Sequence, residues 1–316
     1  MKRFFFSGLT SCQIVGHIIY VNLRDSLQPY KSVIGQVLLE SSARIELIVT
    51  KTNVIENKFR NLDLEILAGD PNAGFVVTVK ENGCSFNLDF SKVYWNPRLS
   101  TEHERIVNLV ERNDIVFDVM AGVGPFAIPI AKKGQKTKKK PDPIFVYAND
   151  LNPSSFEYLK KNVRLNNLQE DFLKTYNLDG GEFIREKLPE VLEKFYKDET
   201  RHQNLHVLMN LPALAVTFLP NFKNLVDSEK CNEWQKMGKN LPLLHVYAFH
   251  LNGEELMKEC CNILEVDEIQ DMKSSFVRNV APKKDMFRIT IPLNFDILQR
   301  KSDSNEPAMK KQKIDD

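Results

Sequence analysis

From about residue 102 onward, mostly apolar runs alternate with stretches of helical periodicity, and this alternation constrains the fold more than any other feature. The strand-like runs are residues 115–119, 144–148, 206–209 and 243–249. Such runs are typical of parallel strands that are buried on both faces. Helical spacing follows them, for example at residues 154–167 and 253–264. The pattern predicts a doubly wound α/β sheet whose ligand crevice lies at the carboxyl ends of the strands.

The first hundred residues have a different pattern, which predicts a small α+β unit. Residues 13–21 are rich in β-branched side chains and predict a strand. Two further strand-like runs, 75–80 and 84–90, flank the dipeptide Asn82-Gly83, which is the strongest short-range signal for a hairpin.

We therefore expect three segments along the chain. Residues 1–100 form the small α+β domain, and residues 101–298 form the Rossmann-like α/β domain. Within the second segment, the alternation at 287–295 predicts a final antiparallel strand. Residues 299–316 are polar and charged, and we expect this tail to be disordered.

Composition and charge exclude several classes of protein. Of the 316 residues, 42% are hydrophobic and 27% are charged, a balance typical of globular chains. The formal net charge is only +1, so a nucleic acid would have to bind a local basic surface. The five cysteines include no C-x-x-C pair, so we expect no disulfide framework, no structural metal and a reducing compartment. No apolar run approaches the roughly 20 residues that span a bilayer, so we expect no membrane association.

The stretch DVMAGVGPF, residues 118–126, carries the clearest chemical signal. It follows a predicted strand and opens a predicted helix. Gly122 and Gly124 remove side chains where a backbone approaches a ligand, and a helix N-terminus favours negative charge. The alternative interpretation is a tight strand-to-helix turn without a ligand. The two glycines alone do not decide between a ligand-binding loop and such a turn.

Polar residues at the ends of the following strands favour a cofactor that contains adenosine. Asp150, in YANDLNP, can accept hydrogen bonds from two ribose hydroxyls, as in nicotinamide dehydrogenases. Asp179, in NLDG, can accept one from an adenine amino group. Asn210, in MNLPA, resembles the Asn/Asp-Pro-Pro element of methyltransferases that alkylate nitrogen, although it could also cap a helix at 214–219. Together these positions favour S-adenosylmethionine.

The stretch VYWNPRLSTEHERI, residues 93–106, lies between the two predicted domains. Ser100 or Thr101 can cap a helix whose first turn holds Glu102 and Glu104. On the simplest interpretation, these two acids interact favourably with the helix macrodipole.

Together, VYWNPRLSTEHERI, DVMAGVGPF, YANDLNP and MNLPA resemble the tRNA (guanine-37-N1)-methyltransferase family of archaea and eukaryotes. NLRDSLQPYKSVIGQVLLE, FRNLDLEILAG and RNVAPKKDMFRITI are similar to that family as well, so the resemblance covers residues 13–295. It implies a class I Rossmann-like catalytic domain preceded by a small domain that seats the anticodon region. It also implies S-adenosylmethionine as methyl donor, the anticodon stem-loop of tRNA as partner, and a monomer.

The resemblance also implies roles for individual residues. Glu102 matches the base of the family, Arg60 its substrate-binding arginine, and Asn210 the asparagine of its NLP element. Tyr94 and Arg98 match its substrate pocket. The implied cofactor contacts are His103, Asp150, Leu151, Asp179, Gly180 and Asn210, together with Gly122 and Gly124 of the glycine loop.

These residue types suit the implied reaction. N1 of guanine carries a proton at neutral pH, and Glu102 can remove it if burial raises its pKa toward neutrality. The guanidinium of Arg60 can stabilise the negative charge that develops on O6. Asn210 would hold the edge of the base, which must leave its stack to reach the pocket.

Two departures from the family pattern stand out. Family members usually carry a further N-terminal domain. We expect this domain to be missing here, with a loss of tRNA affinity, the alternative being an incomplete gene model. The chain also has a lysine-rich insertion at residues 132–140, for which we expect a solvated loop, the alternative being phosphate contact.

The sequence is compatible with further functions and with several compartments. A related transferase of wybutosine synthesis moves the aminocarboxypropyl group of the same cofactor, but it would not need a base at Glu102. A non-catalytic tRNA-binding homologue is also compatible with the motifs, and a dehydrogenase is less favoured. Basic residues at 310–313 resemble a nuclear import signal, and the basic-aromatic start resembles part of a mitochondrial presequence, so cytoplasm, nucleus and mitochondrial matrix are all compatible with the chain.

Overall fold

The computed structural model describes residues 11–52, 63–135, 144–197 and 203–300. The strands within these residues are β1 (Ser11–Val15), β2 (Ile18–Asn22), β3 (Leu47–Lys51), β4 (Leu64–Gly69), β5 (Val76–Glu81), β6 (Cys84–Asp89), β7 (Ile115–Asp118), β8 (Phe145–Asn149), β9 (Leu173–Tyr176), β10 (Leu205–Met209), β11 (Leu243–His250), β12 (Lys273–Ala281) and β13 (Lys284–Pro292). The helices are α1 (Lys31–Glu40), α2 (Ser100–Leu109), α3 (Ala127–Gln135), α4 (Pro153–Leu165), α5 (Gly180–Lys197), α6 (Ser228–Lys236), α7 (Gly253–Leu264) and α8 (Phe295–Leu298). No helix of the described residues has both the length and the apolar character needed to cross a bilayer.

The large sheet has the strand order β12-β13-β11-β10-β7-β8-β9. Its strands β7 to β11 are parallel, and β13 is antiparallel to both β11 and β12. β7 lies between β8 and β10, so the connections diverge from it and leave a crevice at its carboxyl end. This arrangement confirms the predicted Rossmann-like sheet and its final antiparallel strand.

The N-terminal segment forms a second sheet, of order β1-β2-β3-β4, with α1 packed against it. The run predicted as one strand at 13–21 is two strands, because the chain turns at Gly16 with φ +60°. The predicted hairpin is present as β5–β6, and its turn residues Asn82 and Gly83 both have positive φ, as a type I′ turn requires.

The β5–β6 hairpin packs against the Rossmann-like part of the molecule. The backbone amide of Asn87 donates to Oδ1 of Asn162 on α4 at 2.7 Å, and that of Ser85 donates to Oδ1 of Asn166 at 3.0 Å. One apolar core includes residues of β2, β3, β6, α2, α3 and β8. The small sheet and the β5–β6 hairpin therefore pack together against one face of the large sheet.

Candidate active site

The glycine loop after β7 places its two glycines in different surroundings. A Cβ atom at Gly122, where φ is +57°, would have no heavy atom within 4 Å. A Cβ at Gly124, where φ is +96°, would lie 2.7 Å from Ile128 and 2.8 Å from Leu159. Gly122 therefore borders open space at the end of the sheet, whereas Gly124 allows the loop to pack closely against α3 and α4.

Asp150, which directly follows the neighbouring strand β8, accepts a hydrogen bond from the glycine loop. Its Oδ2 accepts the amide of Gly122 at 2.8 Å, and its Oδ1 accepts the amide of Asn152 at 2.9 Å. Burial raises the pKa of Asp150, while these two amides and the side-chain hydroxyl of Ser155, which also donates to Asp150, act in the opposite direction. A carboxylate has about four acceptor positions, so Asp150 keeps capacity for one ligand hydroxyl.

Asp118, the last residue of β7, is a second carboxyl at this edge and is fully buried. Burial, followed by the negative charge of Asp150, raises the pKa of Asp118 to about 8, and the amide of Met120 opposes the shift. The two acids therefore share one small region in which only one of them ionises readily at neutral pH.

Asn149, which the sequence does not single out, holds three strand ends together. Its Nδ2 donates to the carbonyls of Val119 and Leu178, both at 3.0 Å, and its Oδ1 accepts the amide of Leu178 at 2.8 Å. Beside it, Asn177 donates to the carbonyl of Leu151 at 3.1 Å. A buried asparagine immediately before an acid at a strand end is the available sequence signal.

Asp179 and Gly180 lie at the start of α5. Oδ1 of Asp179 accepts the amide of Gly181 at 2.9 Å and so caps the helix, which leaves its other oxygen available. A Cβ at Gly180 would lie 3.0 Å from the Phe218 ring and 3.3 Å from Val119, so this position is closely packed.

Glu102 is buried and fully engaged by donors. It lies in the first turn of α2 and is 4% exposed, whereas its neighbour Glu104 is exposed. Its Oε1 accepts from the hydroxyl of Tyr247 and from Nη1 of Arg288, both at 2.8 Å. Its Oε2 accepts from Nη1 of Arg105 at 2.7 Å. The first turn of α2 contains Glu102 but not Glu104, so the expected placement of both acids in that turn is wrong for Glu104, and Glu102 is a charge-paired carboxylate.

Tyr247 and Arg288, which the sequence does not single out either, lie opposite each other on β11 and β13. Burial, and then the charge of Glu102, raise the pKa of Tyr247 well above its usual value, so its hydroxyl stays a donor. A single arginine within the alternating run 287–295 is the one sequence signal for this network.

His103 joins the hairpin to the glycine loop. It is 3% exposed, and its Nδ1 lies 2.6 Å from Oε1 of Glu81 on β5. Its ring packs edge-on against Phe126 at 4.8 Å, and Phe126 lies 6.1 Å from the Tyr247 ring. Phe126 therefore connects the glycine loop with the Glu102 network.

α2 begins without a side-chain cap. Its N-cap residue is Leu99, so the predicted capping by Ser100 or Thr101 is wrong. Instead, Oδ1 of Asn96 accepts the amide of Arg98 at 3.1 Å and begins the preceding 3₁₀ turn, Pro97–Leu99.

Asn210 follows β10 directly, and its Oδ1 is buried without a hydrogen-bond partner. It caps no helix, because the 3₁₀ segment Ala215–Phe222 has Leu214 at its N-cap and no side-chain cap. The last pair of β10 and β11 is Met209 with Val246, so continued alternation would put the next residues, Asn210 and Tyr247, on the same face. The carbonyl of Pro212 accepts the amide of Phe249 at 3.2 Å and fixes this loop against β11. An unpaired buried oxygen is costly, so this one indicates a ligand position.

The remaining predicted residues lie around this centre. Tyr94 is 50% exposed, and Arg98 is exposed with Nη2 3.4 Å from the carbonyl of Cys12. Lys132 and Lys133 lie in the last turn of α3 and donate to backbone carbonyls, so these two lysines are structural and not part of a solvated loop. Arg60, residues 136–140 and the tail from residue 301 lie outside the described residues.

Comparison with known proteins places this geometry in a family. The family model described as TRM5/TYW2 methyltransferase domain matches residues 77–240, more than half of the chain. The chain belongs to the TRM5/TYW2 methyltransferase family. A second family model, described as TYW2 N-terminal domain, matches residues 9–72.

Several family members align with almost the whole chain. The tRNA (guanine(37)-N(1))-methyltransferase of Xenopus tropicalis is 43% identical over 94% of this chain and 58% of its own length. That of Drosophila pseudoobscura pseudoobscura is 40% identical over 98% of this chain and 69% of its own length. The complex structure of aTrm5 and tRNALeu is 26% identical with a TM-score of 0.65, covering 93% of this chain and 75% of that one. The chain spans about three fifths of the length of the curated relatives that it matches.

Proposed function

We propose that the chain transfers a methyl group from S-adenosylmethionine to N1 of guanosine 37 of tRNA. One observation carries the proposal, namely a buried Glu102 held by donors on α2, β11 and β13. It lies on the same face of the sheet as the unpartnered Oδ1 of Asn210. The names of the aligned relatives support the same reaction.

The donor set at the strand ends suits S-adenosylmethionine. Asp150 has acceptor capacity for one ribose hydroxyl, and the free oxygen of Asp179 can accept from an adenine amino group. Open space beside Gly122 admits a ligand against the loop backbone. Bound there, S-adenosylmethionine supplies an electrophilic methyl group on a positively charged sulfur.

Glu102 would take the N1 proton of guanine. Its three donors occupy both positions of Oε1 and one of Oε2, so Oε2 keeps one lone pair for the proton. Arg105 is 47% exposed and can swing away from Oε2, while Tyr247 and Arg288 hold Oε1 in place. Fixing the carboxylate in this way reduces the reorganisation that proton transfer requires.

Asn210 would hold the edge of the flipped guanine. Its Oδ1 needs a donor, and the guanine edge offers N–H groups at N1 and N2. We assign stabilisation of O6 to Arg60, since its guanidinium is a permanent cation. Tyr94 and Arg98, exposed beside this face, would contact the neighbouring nucleotides.

Two alternatives share the fold. An aminocarboxypropyl transferase would use the same cofactor site, and one matched family model carries the name TYW2. A non-catalytic tRNA-binding protein would leave the Glu102 network without a chemical role. The paired, buried Glu102 favours methyl transfer over both.

The deciding experiment incubates the chain with a tRNA transcript carrying guanosine 37 and with methyl-labelled S-adenosylmethionine. Nucleoside analysis should reveal 1-methylguanosine at position 37. An aminocarboxypropyl product would establish the transferase of wybutosine synthesis, and binding without any product would establish the non-catalytic tRNA-binding protein.

We further propose that the protein acts as a monomer in a reducing compartment, in the cytoplasm, nucleus or mitochondrial matrix. The five cysteines, all free of disulfides, support the reducing compartment. Expression of a tagged chain with fractionation would distinguish the three compartments.

A further inference from the structure

Strand β12 has an irregularity that redirects one arginine. Its register on β13 shifts between Phe276 and Arg278, so Arg278 pairs with Met286 where regular alternation would place Val277. Met286 and Arg288 lie on the same face of β13, because they are two residues apart. The bulge therefore brings Arg278 to the face that carries Arg288 and the Glu102 network.

Arg278 also lies at the carboxyl edge of the sheet. Met286, its partner on β13, pairs with Phe249 near the end of β11. The amide of Phe249 donates to the carbonyl of Pro212 in the Asn210 loop. Arg278 is thus on the rim of the crevice and just beyond Arg288.

A second arginine, Arg98 in the 3₁₀ turn before α2, acts electrostatically on Arg278. Burial, and then the positive charge of Arg98, lower the pKa of Arg278, while Tyr94 acts in the opposite direction. Arg98 is exposed and Arg278 is partly exposed. Within the described parts of the chain, neither guanidinium forms a salt bridge with a carboxylate.

The nearest carboxyl on the hairpin does not neutralise this pair. Asp285 precedes Met286, so it lies on the opposite face, where its Oδ1 accepts Nδ2 of Asn279 at 2.7 Å. On the rim, Lys284 adds a third cation, with Nζ 4.3 Å from the centre of the Phe249 ring. Two neighbouring arginines repel each other, so an anion bound between them would reduce this electrostatic repulsion.

We propose that Arg98 and Arg278 together bind one backbone phosphate of the RNA substrate, next to the flipped base. This inference rests on the proposed function, because it takes RNA as the substrate. A guanidinium can donate two parallel hydrogen bonds to phosphate oxygens, and the exposed Tyr94 beside the pair can stack on a neighbouring base. The chain has a net charge of only +1, so a local pair of this kind is needed to hold a polyanion.

The test measures binding of a labelled tRNA transcript with guanosine 37 to the full chain over a range of KCl concentrations. Arg278→Gln should reduce the slope of log K against log salt by about 0.7–0.9, the value for one lost phosphate contact. Affinity at low salt should fall about tenfold. Arg278→Lys keeps the charge and should keep the slope, but it loses the forked geometry and should bind with intermediate affinity.

Lys273→Gln is the matched control, since Lys273 is an exposed cation at the other end of β12. It removes the same charge from the same strand and should leave the slope unchanged. The double variant Arg98→Gln/Arg278→Gln should lose less affinity than the sum of the single losses, because both side chains serve one phosphate. Thermal melting of each variant checks that the edge strand still folds.

The outcomes separate this inference from the proposed function. A wild-type chain that methylates guanosine 37, with an Arg278→Gln slope equal to that of wild type, overturns the phosphate site alone. Weaker binding of S-adenosylmethionine by Arg278→Gln also overturns it, because the pair would then serve the cofactor carboxylate. A wild-type chain that does not bind the transcript overturns both.

Discussion

At the residue scale, the environment of Glu102 determines what its carboxylate can do. Two guanidinium groups and one phenol hold it, so the side chain is a fixed acceptor in an otherwise apolar region. The sequence indicates Glu102 through the family resemblance, but the donors Tyr247 and Arg288 are 145 and 186 residues away along the chain. Contacts between such distant positions depend on sheet register, which a single sequence does not specify.

The first prediction concerns this carboxylate. Glu102→Gln keeps the shape but loses the proton acceptor, so single-turnover methyl transfer should fall by about 10²–10⁴-fold. Binding of S-adenosylmethionine, measured by calorimetry, should change little. Glu104→Gln, an exposed acid on the same helix, is the matched control and should retain full activity. Full activity in Glu102→Gln would show that another group takes the proton.

The second prediction concerns Asp118, whose pKa is raised to about 8 by burial and by Asp150. As pH rises from about 4 toward about 8, the unfolded carboxyl ionises while the folded one keeps its proton, so wild-type stability falls. Asp118→Asn removes this penalty. The stability of the variant relative to wild type should therefore rise with pH by up to about 1.4 kcal/mol per unit and level off above pH 8.

Urea unfolding at several pH values measures the Asp118 effect. A difference between variant and wild type that stays constant from about pH 5 to about pH 8 would contradict the raised pKa.

At the element scale, the two glycines of the loop after β7 show which parts of the fold follow from the sequence. The motif predicts a strand-to-helix turn correctly. It does not show which glycine is needed for close packing of the loop and which one leaves space for a ligand. The hairpin at Asn82-Gly83 and the strands β7, β8, β10 and β11 were predictable, because turn chemistry and buried apolar runs are local signals. β12 was not, because it is a partly exposed edge strand whose two bulges interrupt the alternation of period two.

The third prediction compares the two glycines. Gly122→Ala meets no atom, so unfolding free energy should fall only by the left-handed backbone cost of about 1–2 kcal/mol. Its methyl group enters the open space, so cofactor affinity should fall as well. Gly124→Ala adds overpacking against Ile128 and Leu159, which costs roughly a further 1–3 kcal/mol.

Urea unfolding and calorimetric titration with S-adenosylmethionine separate these effects of the glycine variants. We expect Gly124→Ala to be the less stable variant and Gly122→Ala to show the larger loss of affinity relative to its loss of stability. The reverse ranking would mean that the cofactor does not approach the loop at Gly122.

At the scale of the whole molecule, the small sheet and the β5–β6 hairpin pack beside the face that carries Glu102 and Asn210. The sequence predicts both units from their different patterns. Their packing against each other could not be predicted, since it depends on asparagines such as Asn162 and Asn166 that carry no motif. This packing places residues of the two units around one crevice. Under the proposed function, the assembled site would distinguish the base at position 37.

The last prediction concerns the identity of that base. Guanine presents its N1–H to the acceptor Glu102 and an N2 amino hydrogen to the acceptor Asn210, whereas adenine has a lone pair at N1 and no amino group at C2. A transcript with adenosine 37 would leave Glu102 facing a lone pair and Asn210 without a donor, so methyl incorporation should fall by on the order of 10⁴-fold. Binding of both transcripts should weaken steeply with salt, because phosphate contacts do not depend on the base. Matched transcripts that differ only at position 37, followed by mapping of the methylated atom, provide the measurement. Equal incorporation into both, or a methyl group on an atom other than N1, would refute recognition of the base by these two acceptors.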